Sequence, residues 1–405
     1  MFARAFKSVF IASALALFPA FASALPASAP RPADFVRLYT LQPTGFGGAM
    51  VITDSHIGKV LHTADGGQVF GFDVDQNGTD GLLASSHDIP RGVAASVETF
   101  DQTSATITKT VAMTHSMDDF VVFGIATGDV GLVEHEHVVN NQVHRSWHLL
   151  DPVTGGTFTG KWTPPHANDF LLEQVAEDQT SQTAVAFGIN FTGSPMIFSS
   201  NIGANTFGPV IRLDPDHFGL GDAPQVAEDT MHDRAVIATS PDGGAVGGHV
   251  PVIAMIDLVT GAMTQFNGVS IPPFFSGYVN GFAVDSATGI ACTSTELDAD
   301  VEFYKLSDGS GFPVVLPGAH SQQLFSGEAV VNDPIHKLFL VVQPNGSVGP
   351  AGDSVIDVFD EKGNLVKSIT GFKAFSVTPG IAINPTTRMG FVMGPTPDAL
   401  TQFTY

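Results

Sequence analysis

The sequence predicts an all-β fold, a seven-bladed β-propeller of four-stranded antiparallel blades. One observation is a motif that recurs at intervals of about fifty residues. Another is that short apolar strands separated by polar turns follow each copy, with 43 Gly and 26 Pro in the chain. No segment after the N-terminus has a convincing helical pattern. Repeats of four short antiparallel strands are typical of propellers, whose blades close into a ring.

The recurring motif ends on an acidic residue that we call the anchor. Gln174-Val-Ala-Glu-Asp178 recurs unchanged as Gln225-Val-Ala-Glu-Asp229, and looser copies follow to the end of the chain. Each copy is followed by a polar turn and a second apolar strand, as expected for a hairpin. The interval between the second and third anchors is long, and we interpret it as one repeat with an insertion. The predicted anchor positions are Asp54, Asp101, Asp178, Asp229, Asp285, Asp333 and Pro385.

The ends of the chain predict how the ring closes. The last repeat offers only three strands, and residues 34–41 form an isolated strand pattern before the first repeat. That N-terminal strand is expected to complete the last blade and so protect its edge. The predicted organisation is a signal peptide over 1–24, a flexible segment over 25–33 and a single propeller domain over 34–405.

The N-terminus has the order of a secretory signal peptide. Arg4 and Lys7 precede the apolar run 9–17, and Ala22-Ser-Ala24 provides a small-residue cleavage site. The run is too short to span a bilayer, and no later stretch is long enough. We therefore expect a secreted, extracellular protein without a membrane span. Sequons at Asn77, Asn190 and Asn345 are candidate glycosylation sites.

Composition excludes several classes of function. With 17 Lys and Arg against 40 Asp and Glu, the net charge is −23, which argues against nucleic-acid binding. The only cysteine, Cys292, excludes an intramolecular disulfide framework and a cysteine-based zinc site. Nothing indicates a nucleotide or organic cofactor, and a monomer is expected.

The anchor motif, the Asp-x-x-Thr-Gly turns at residues 151–155 and 257–261, and the repeat length together carry a resemblance. They resemble the broad YVTN, NHL and lactonase-like group of seven-bladed propellers over nearly all of the chain after residue 33. Members of that group include lactonases, lyases, muconate cyclases and pure binding proteins. The resemblance therefore implies the fold and leaves the chemistry open.

Histidines recur at similar distances before the anchors. In a propeller these segments precede the innermost strands, so they are expected to converge on one rim of the central channel. Imidazole is a good ligand for divalent metals and a good acid or base near neutral pH. The candidate catalytic and metal-binding residues of this rim are His87, His166, His217 and His320.

Other side chains are expected on the same rim. Glu173 and Glu328 lie five residues before their anchors and are candidates for proton transfer or for orienting a histidine. Asn280 occupies the equivalent position of a third blade and, with Phe274 and Phe275, forms a candidate substrate-binding set. The alternative is structural: histidines that cap loops, solvated rim carboxylates and phenylalanines that pack between blades. His232 and His336, in contrast, are expected at the surface of the opposite rim.

Residues 73–80 match the first half of a calcium-binding loop. Asp73, Asp75 and Asn77 alternate, and Gly78 permits a sharp turn. The twelfth position is Ala84 rather than Glu, so the bidentate ligand is missing. A plain hairpin turn is the alternative.

The sequence thus supports two functional hypotheses. The first is a secreted enzyme of lyase, lactonase or cyclase type that acts on a small carboxylate, lactone or sugar acid through the histidine-rich rim, with a divalent metal as the candidate cofactor. The second is a secreted non-catalytic binding or cell-wall protein that recognises carbohydrate or a protein partner.

Overall fold

A computed structural model describes residues 57–405 apart from loop segments and single positions. The undescribed positions are 65, 90–91, 113–119, 127–129, 140–141, 152–156, 163–164, 166–169, 180, 191, 203, 219–223, 241–250, 270–278, 296–299, 317–328, 344–353, 374–379, 395 and 397. Residues 1–56, with the expected signal peptide, lie outside the described residues.

The described strands form seven antiparallel sheets, each built from strands that follow one another along the chain. Blade 1 contains β2 (Gln68–Val74), β3 (Asp80–Ile89), β4 (Gly92–Asp101) and β5 (Thr106–Ala112). Blade 2 contains β6 (Phe120–Ala126), β7 (Val130–Val139), β8 (Gln142–Asp151) and β9 (Thr157–Trp162). Blade 3 contains β10 (Phe170–Asp178), β11 (Thr183–Asn190) and β12 (Pro195–Asn201), and β12 pairs with both β13 (Thr206–Phe207) and β14 (Ile211–Arg212).

The second half of the chain repeats this plan. A one-turn helix, α1 (Pro215–Phe218), precedes blade 4, which contains β15 (Gln225–Asp229), a 3-10 turn (Thr230–His232), β16 (Arg234–Thr239), β17 (Val252–Asp257) and β18 (Met263–Asn267). Blade 5 contains β19 (Val279–Asp285), β20 (Ile290–Thr295), β21 (Asp300–Lys305) and β22 (Gly311–Val315). Blade 6 contains β23 (Ala329–Asp333), β24 (Leu338–Gln343), β25 (Ser354–Asp360) and β26 (Leu365–Phe372).

Blade 7 joins the two ends of the described chain. Its strands are β27 (Ile381–Asn384), β28 (Met389–Met393), β29 (Ala399–Thr404) and, at the outer edge, β1 (Ile57–His62). The first strands of successive blades contact one another, and β27 contacts β2, so the blades form a closed ring. The all-β β-propeller that the sequence predicts is therefore confirmed.

An N-terminal strand completes the last blade as predicted, but the residues predicted to form that strand were wrong. The outer strand of blade 7 is β1, in which Val60 and Leu61 pair with Thr401 and Leu400, rather than a strand over residues 34–41. Leu61 is 3% exposed and joins the core of blades 7 and 1, which is why this short segment is held at the edge. Residues 34–41 lie outside the described residues.

The second predicted anchor, Asp101, was also wrong. Asp101 ends β4, a third strand, whereas the first strand of blade 1 ends at Val74 and is followed by Asp75. Asp75 and Asp178 are 103 residues apart, which accommodates two blades and removes the expected insertion. The error has a physical cause: Asp101 accepts the Ser104 N–H, and Ala105 has a φ of 50°, so this hairpin resembles those that follow the true anchors. Asp54 lies outside the described residues.

The core consists of apolar layers between neighbouring blades. Phe303 of blade 5 packs against Phe339 and Phe359 of blade 6, with ring centroids 5.6 and 6.1 Å apart. Phe100 of blade 1 packs against Phe391 of blade 7 at 4.9 Å. Both faces of each blade are covered in this way, so the middle strands are mostly apolar. In Leu338–Gln343, for example, every residue is buried and all but the last are apolar.

Candidate functional site

The two rims of the ring differ in how much the structure describes. We call the side at which the first strand of each blade begins the upper rim, and the side of the hairpins between first and second strands the lower rim. The histidine site is predicted at the upper rim. His166, His320, Glu328, Phe274, Phe275 and Asn345 lie outside the described residues.

For the remaining residues of the predicted site, the structure describes the position of the backbone. His217 lies in α1, and His87 lies within β3 opposite Ala94, so His87 does not precede a first strand as expected. Glu173 and Asn280 occupy equivalent register shifts, in β10 between Leu172 and Gln174 and in β19 between Val279 and Gly281. Convergence of the histidines, and metal binding by them, stay predictions.

The calcium-like segment forms the hairpin between β2 and β3. Asp75 is 4% exposed, and its carboxylate accepts the Asn77 N–H at 2.8 Å. Its main-chain carbonyl accepts hydrogen bonds from Gln102 and Asn384, both at 2.8 Å. Within the described part of the chain, no group of three or more His, Cys, Asp or Glu side chains could hold a metal ion. Calcium binding by Asp73, Asp75 and Asn77 stays a prediction.

Two of the predicted glycosylation sites lie in described turns. Asn77 is exposed at the tip of the β2–β3 hairpin. Asn190, at the end of β11, accepts hydrogen bonds from the Thr192 hydroxyl at 2.7 Å and the Ser194 N–H at 2.8 Å. An amide oxygen engaged in this way orders the loop around it.

The lower rim is well described, and its hairpins share one construction. In blade 7 the first strand ends at Asn384, one residue before the predicted anchor Pro385, so Asn384 is the anchor there. The anchor side chain accepts N–H groups of the turn, as Asp285 does from Ala287 at 2.9 Å and Asn384 does from Thr386 at 3.0 Å. The fourth residue after the anchor has a positive φ in blades 3 to 7, namely Gln182, Asp233, Gly289, Lys337 and Arg388. The turns are thus held by side-chain caps as well as by the strand ladders.

In blades 4 and 6 the anchors also hold basic and aromatic side chains. Asp229 is fully buried and accepts the Arg234 Nε at 3.0 Å, and His232 Nδ1 lies 3.0 Å from the same carboxylate. Asp333 is fully buried as well, accepts the Tyr405 hydroxyl at 2.9 Å and lies 2.8 Å from His336 Nδ1. The sequence pattern identified these aspartates as markers of the repeat but did not predict their partners.

Three carboxyl groups of different blades approach one another near the lower end of the first strands. Burial raises the pKa of Glu177 well above its ordinary value, and the charges of Asp73 and Glu228 raise it further. Burial also raises the pKa of Glu228 to about 7. Gln179 connects the blades here, because it donates to the Val74 carbonyl at 2.9 Å and accepts the Gln76 N–H at 2.7 Å. Burial therefore favours the protonated, neutral forms of Glu177 and Glu228.

Large apolar side chains are exposed on the lower rim beside these anchors. Met231 is 67% exposed and Ile335 is 60% exposed, each two residues after an anchor, in blades 4 and 6. Val259, in the hairpin between β17 and β18, is 73% exposed. Its hairpin is bonded to that of Met231, since the Leu258 N–H donates to the Asp233 carbonyl at 3.1 Å. We call Met231, Val259 and Ile335 the apolar hairpin residues.

No protein-family model matches this chain, and no curated protein matches it. Solved structures do show the same fold. The β-propeller domain of Cps50 (Swd1) from Myceliophteria thermophila is 14% identical, with a TM-score of 0.53, over 87% of this chain and all of that one. The RRP9 WD40 repeats are 10% identical, with a TM-score of 0.56, over 88% of this chain and 99% of that one.

A further similar structure is Chaetomium thermophilum Sqt1 bound to the N-terminus of a ribosomal protein. It is 11% identical, with a TM-score of 0.53, over 87% of this chain and 100% of that one. At such identities the likeness shows the fold alone.

The similar structures do not support the expected lyase, lactonase or cyclase. One of the similar propellers is a set of WD40 repeats, and another is bound to the N-terminus of a ribosomal protein. The emphasis on a small-molecule partner was wrong for the same reason. In the described residues, no helix is long and apolar enough to cross a membrane. The comparisons and the described strands together show that this chain folds as a β-propeller.

Proposed function

We propose that this protein is a secreted, non-catalytic propeller that binds a protein partner through its lower rim. The observation that carries the proposal is the exposure of the apolar hairpin residues on turns that buried anchors hold in place. Rigid apolar side chains bind with little loss of conformational entropy, and apolar groups at the centre of an interface contribute much of its affinity. The signal-peptide pattern supports an extracellular site of action.

Charge supports the same proposal. A chain with a net charge of −23 repels phosphate backbones, so the partner is a protein with a neutral or basic surface rather than nucleic acid. We also propose that the protein is related to the YVTN, NHL and lactonase-like group, that it is a monomer, and that residues 34–405 form one propeller domain. The repeat motif and the closed ring support them.

The proposal is tested by affinity capture from the secreted proteins of the source, followed by reconstitution with the purified candidate. Met231→Lys and Ile335→Lys should each weaken the reconstituted complex by about tenfold or more, measured by calorimetry, because burying an exposed apolar side chain contributes about 1.5 to 3 kcal/mol. Val60→Lys is the matched control, because Val60 is 43% exposed on the outer strand of blade 7. Equal affinity of all three variants and the unaltered protein would reject the lower rim as the binding surface.

A further inference from the structure

The outer strand of each blade has one unpaired edge. Such an edge presents free N–H and C=O groups and can pair with a strand of another chain. Soluble proteins protect these edges with Lys, Pro, register shifts or short interrupted strands. The outer strands of this propeller are β1, β5, β9, β13 with β14, β18, β22 and β26.

All of these strands except β18 carry such a protective feature. A register shift accompanies a lysine in four of them: Lys59 in β1, Lys109 in β5, Lys161 in β9 and Lys367 in β26. In blade 5 the outer strand contains Pro313, and in blade 3 it is broken into two short pieces that end at Arg212. A chain with only 17 basic residues thus places one on most of its outer strands.

Strand β18, with the sequence Met-Thr-Gln-Phe-Asn, has none of these features. Its register with β17 runs without a shift from Ile256 opposite Met263 to Val252 opposite Asn267. Four of its five residues are exposed, and Met263 is 47% exposed. Phe266 fixes the strand to blade 5, with its ring 5.9 Å from that of Tyr304. The edge is therefore regular, uncharged and firmly held.

The surroundings of β18 are acidic at its lower end. Asp257 is half-buried, and hydrogen bonds from the Thr260 backbone and hydroxyl hold its pKa below the ordinary value, so it stays ionised at neutral pH. Asp308 lies in the neighbouring hairpin, whose Gly309 is directly against Phe266. Lys305, 3.5 Å from Asp308, offsets only part of this charge. An approaching strand with basic ends would be attracted.

We propose that β18 is a strand-addition site for an extended segment of the protein partner, flanked by Lys or Arg. The inference rests on the proposed function and names how the partner is held. Main-chain hydrogen bonds to β18 provide affinity, and alternate side chains of the segment contact Met263 on the face toward blade 3. Basic residues at the end of the segment beside the lower rim are attracted to Asp257 and Asp308.

The test uses a short fluorescein-labelled peptide of alternating Thr and Val between pairs of Lys, titrated into the full chain by fluorescence anisotropy. Saturable binding is expected, with protection of the amides of residues 263–267 in hydrogen exchange. The same peptide with Glu flanks, or with a central Pro, should bind at least about tenfold more weakly. Protection of amides elsewhere, without β18, would overturn the proposal.

Substitutions in β18 provide a second test of the proposal. Gln265→Pro should abolish peptide binding, whereas Thr110→Pro on the protected outer strand β5 should leave it unchanged. Gln265→Lys replaces Gln265→Pro if melting curves show that the proline variant has unfolded. Unchanged peptide binding in the edge variant overturns the strand-addition site, while the effect of Met231→Lys on the captured partner still decides the proposed function. Tighter binding of a peptide with residues 34–41, or a dimer that Gln265→Pro dissociates, would assign β18 to this chain itself and overturn the partner.

Discussion

At the scale of single residues, the anchor aspartates explain why a weak repeat still specifies a regular ring. Each anchor combines two tasks, since it ends a first strand and caps the turn that follows. The penalty for burying Asp229 is offset because its carboxylate is paired with Arg234 and bonded to His232. The pattern was visible in the sequence because such a cap requires Asp or Asn at one position.

The same scale shows why two anchors were misassigned. A capping aspartate marks a hairpin but not which hairpin of a blade it belongs to, and Asp101 caps the turn between third and fourth strands. The segment ending at Asp75 resembles the one ending at Asp285, since Gly71-Phe-Asp-Val-Asp75 parallels Gly281-Phe-Ala-Val-Asp285. That parallel is the signal that would have placed blade 1 correctly.

We expect the stability of the fold to fall as pH rises through the range in which Glu228 titrates. Burial raises its pKa from 4.5 to about 7, so the folded state binds the proton more tightly than the unfolded state does. The free energy of unfolding should then decrease between about pH 4.5 and 7.5, by on the order of 2 kcal/mol from this group. Urea denaturation at a series of pH values measures the change.

Glu228→Gln removes the titrating group and should flatten this pH dependence. Asp357→Asn tests the same principle in blade 6, where burial raises the pKa of Asp357 to about 6. Asp257→Asn is the control, because the pKa of Asp257 is lowered and its contribution is lost only in acid. A slope that Glu228→Gln leaves unchanged would contradict the assignment.

At the scale of elements, each blade is held by its neighbours as much as by its own ladders. Where two first strands approach closely, the sequence requires a residue without a side chain. A Cβ on Gly281 of β19 would lie 2.7 Å from the Val330 nitrogen of β23, the first strand of the next blade. Close packing between blades therefore depends on single positions inside strands.

Gly281→Ala should lower the free energy of unfolding by about 1 to 3 kcal/mol, because the added methyl group forces blades 5 and 6 apart. Gly289→Ala, in the hairpin of the same blade, meets no atom within 4 Å and carries only the cost of a left-handed φ of 66°, about 1 kcal/mol. Denaturant melts of both variants compare the two costs. A larger loss for Gly289→Ala would contradict the close approach of the blades.

At the scale of the whole molecule, closure couples residues far apart in sequence. Strand β1 pairs with β29, so Ile57 lies opposite Phe403. Asn384 of blade 7 donates hydrogen bonds to the Asp75 and Gly78 carbonyls of blade 1, at 2.8 and 2.9 Å. These contacts seal the ring, and β1 covers the outer edge of β29.

Removing the chain through His62 should therefore abolish cooperative thermal unfolding or cause aggregation, because it exposes the edge of β29 and the buried Leu400. A shorter truncation that ends at residue 45 keeps β1 and should melt like the full chain. Calorimetry and size-exclusion chromatography distinguish the two. A cooperative, monomeric melt after the longer truncation would show that β1 does not close the ring.

The sequence alone determined the all-β class, the propeller and the positions of the later anchors, because these depend on local rules of strand alternation and turn capping. Only the tertiary structure decided which residues form the strand that closes the ring, which carboxylates bind Arg234 and Tyr405, and which outer edge is left without protection. Each of these depends on contacts between blades that are distant along the chain. Local pattern carries no information about such contacts, and packing of the ring selects them.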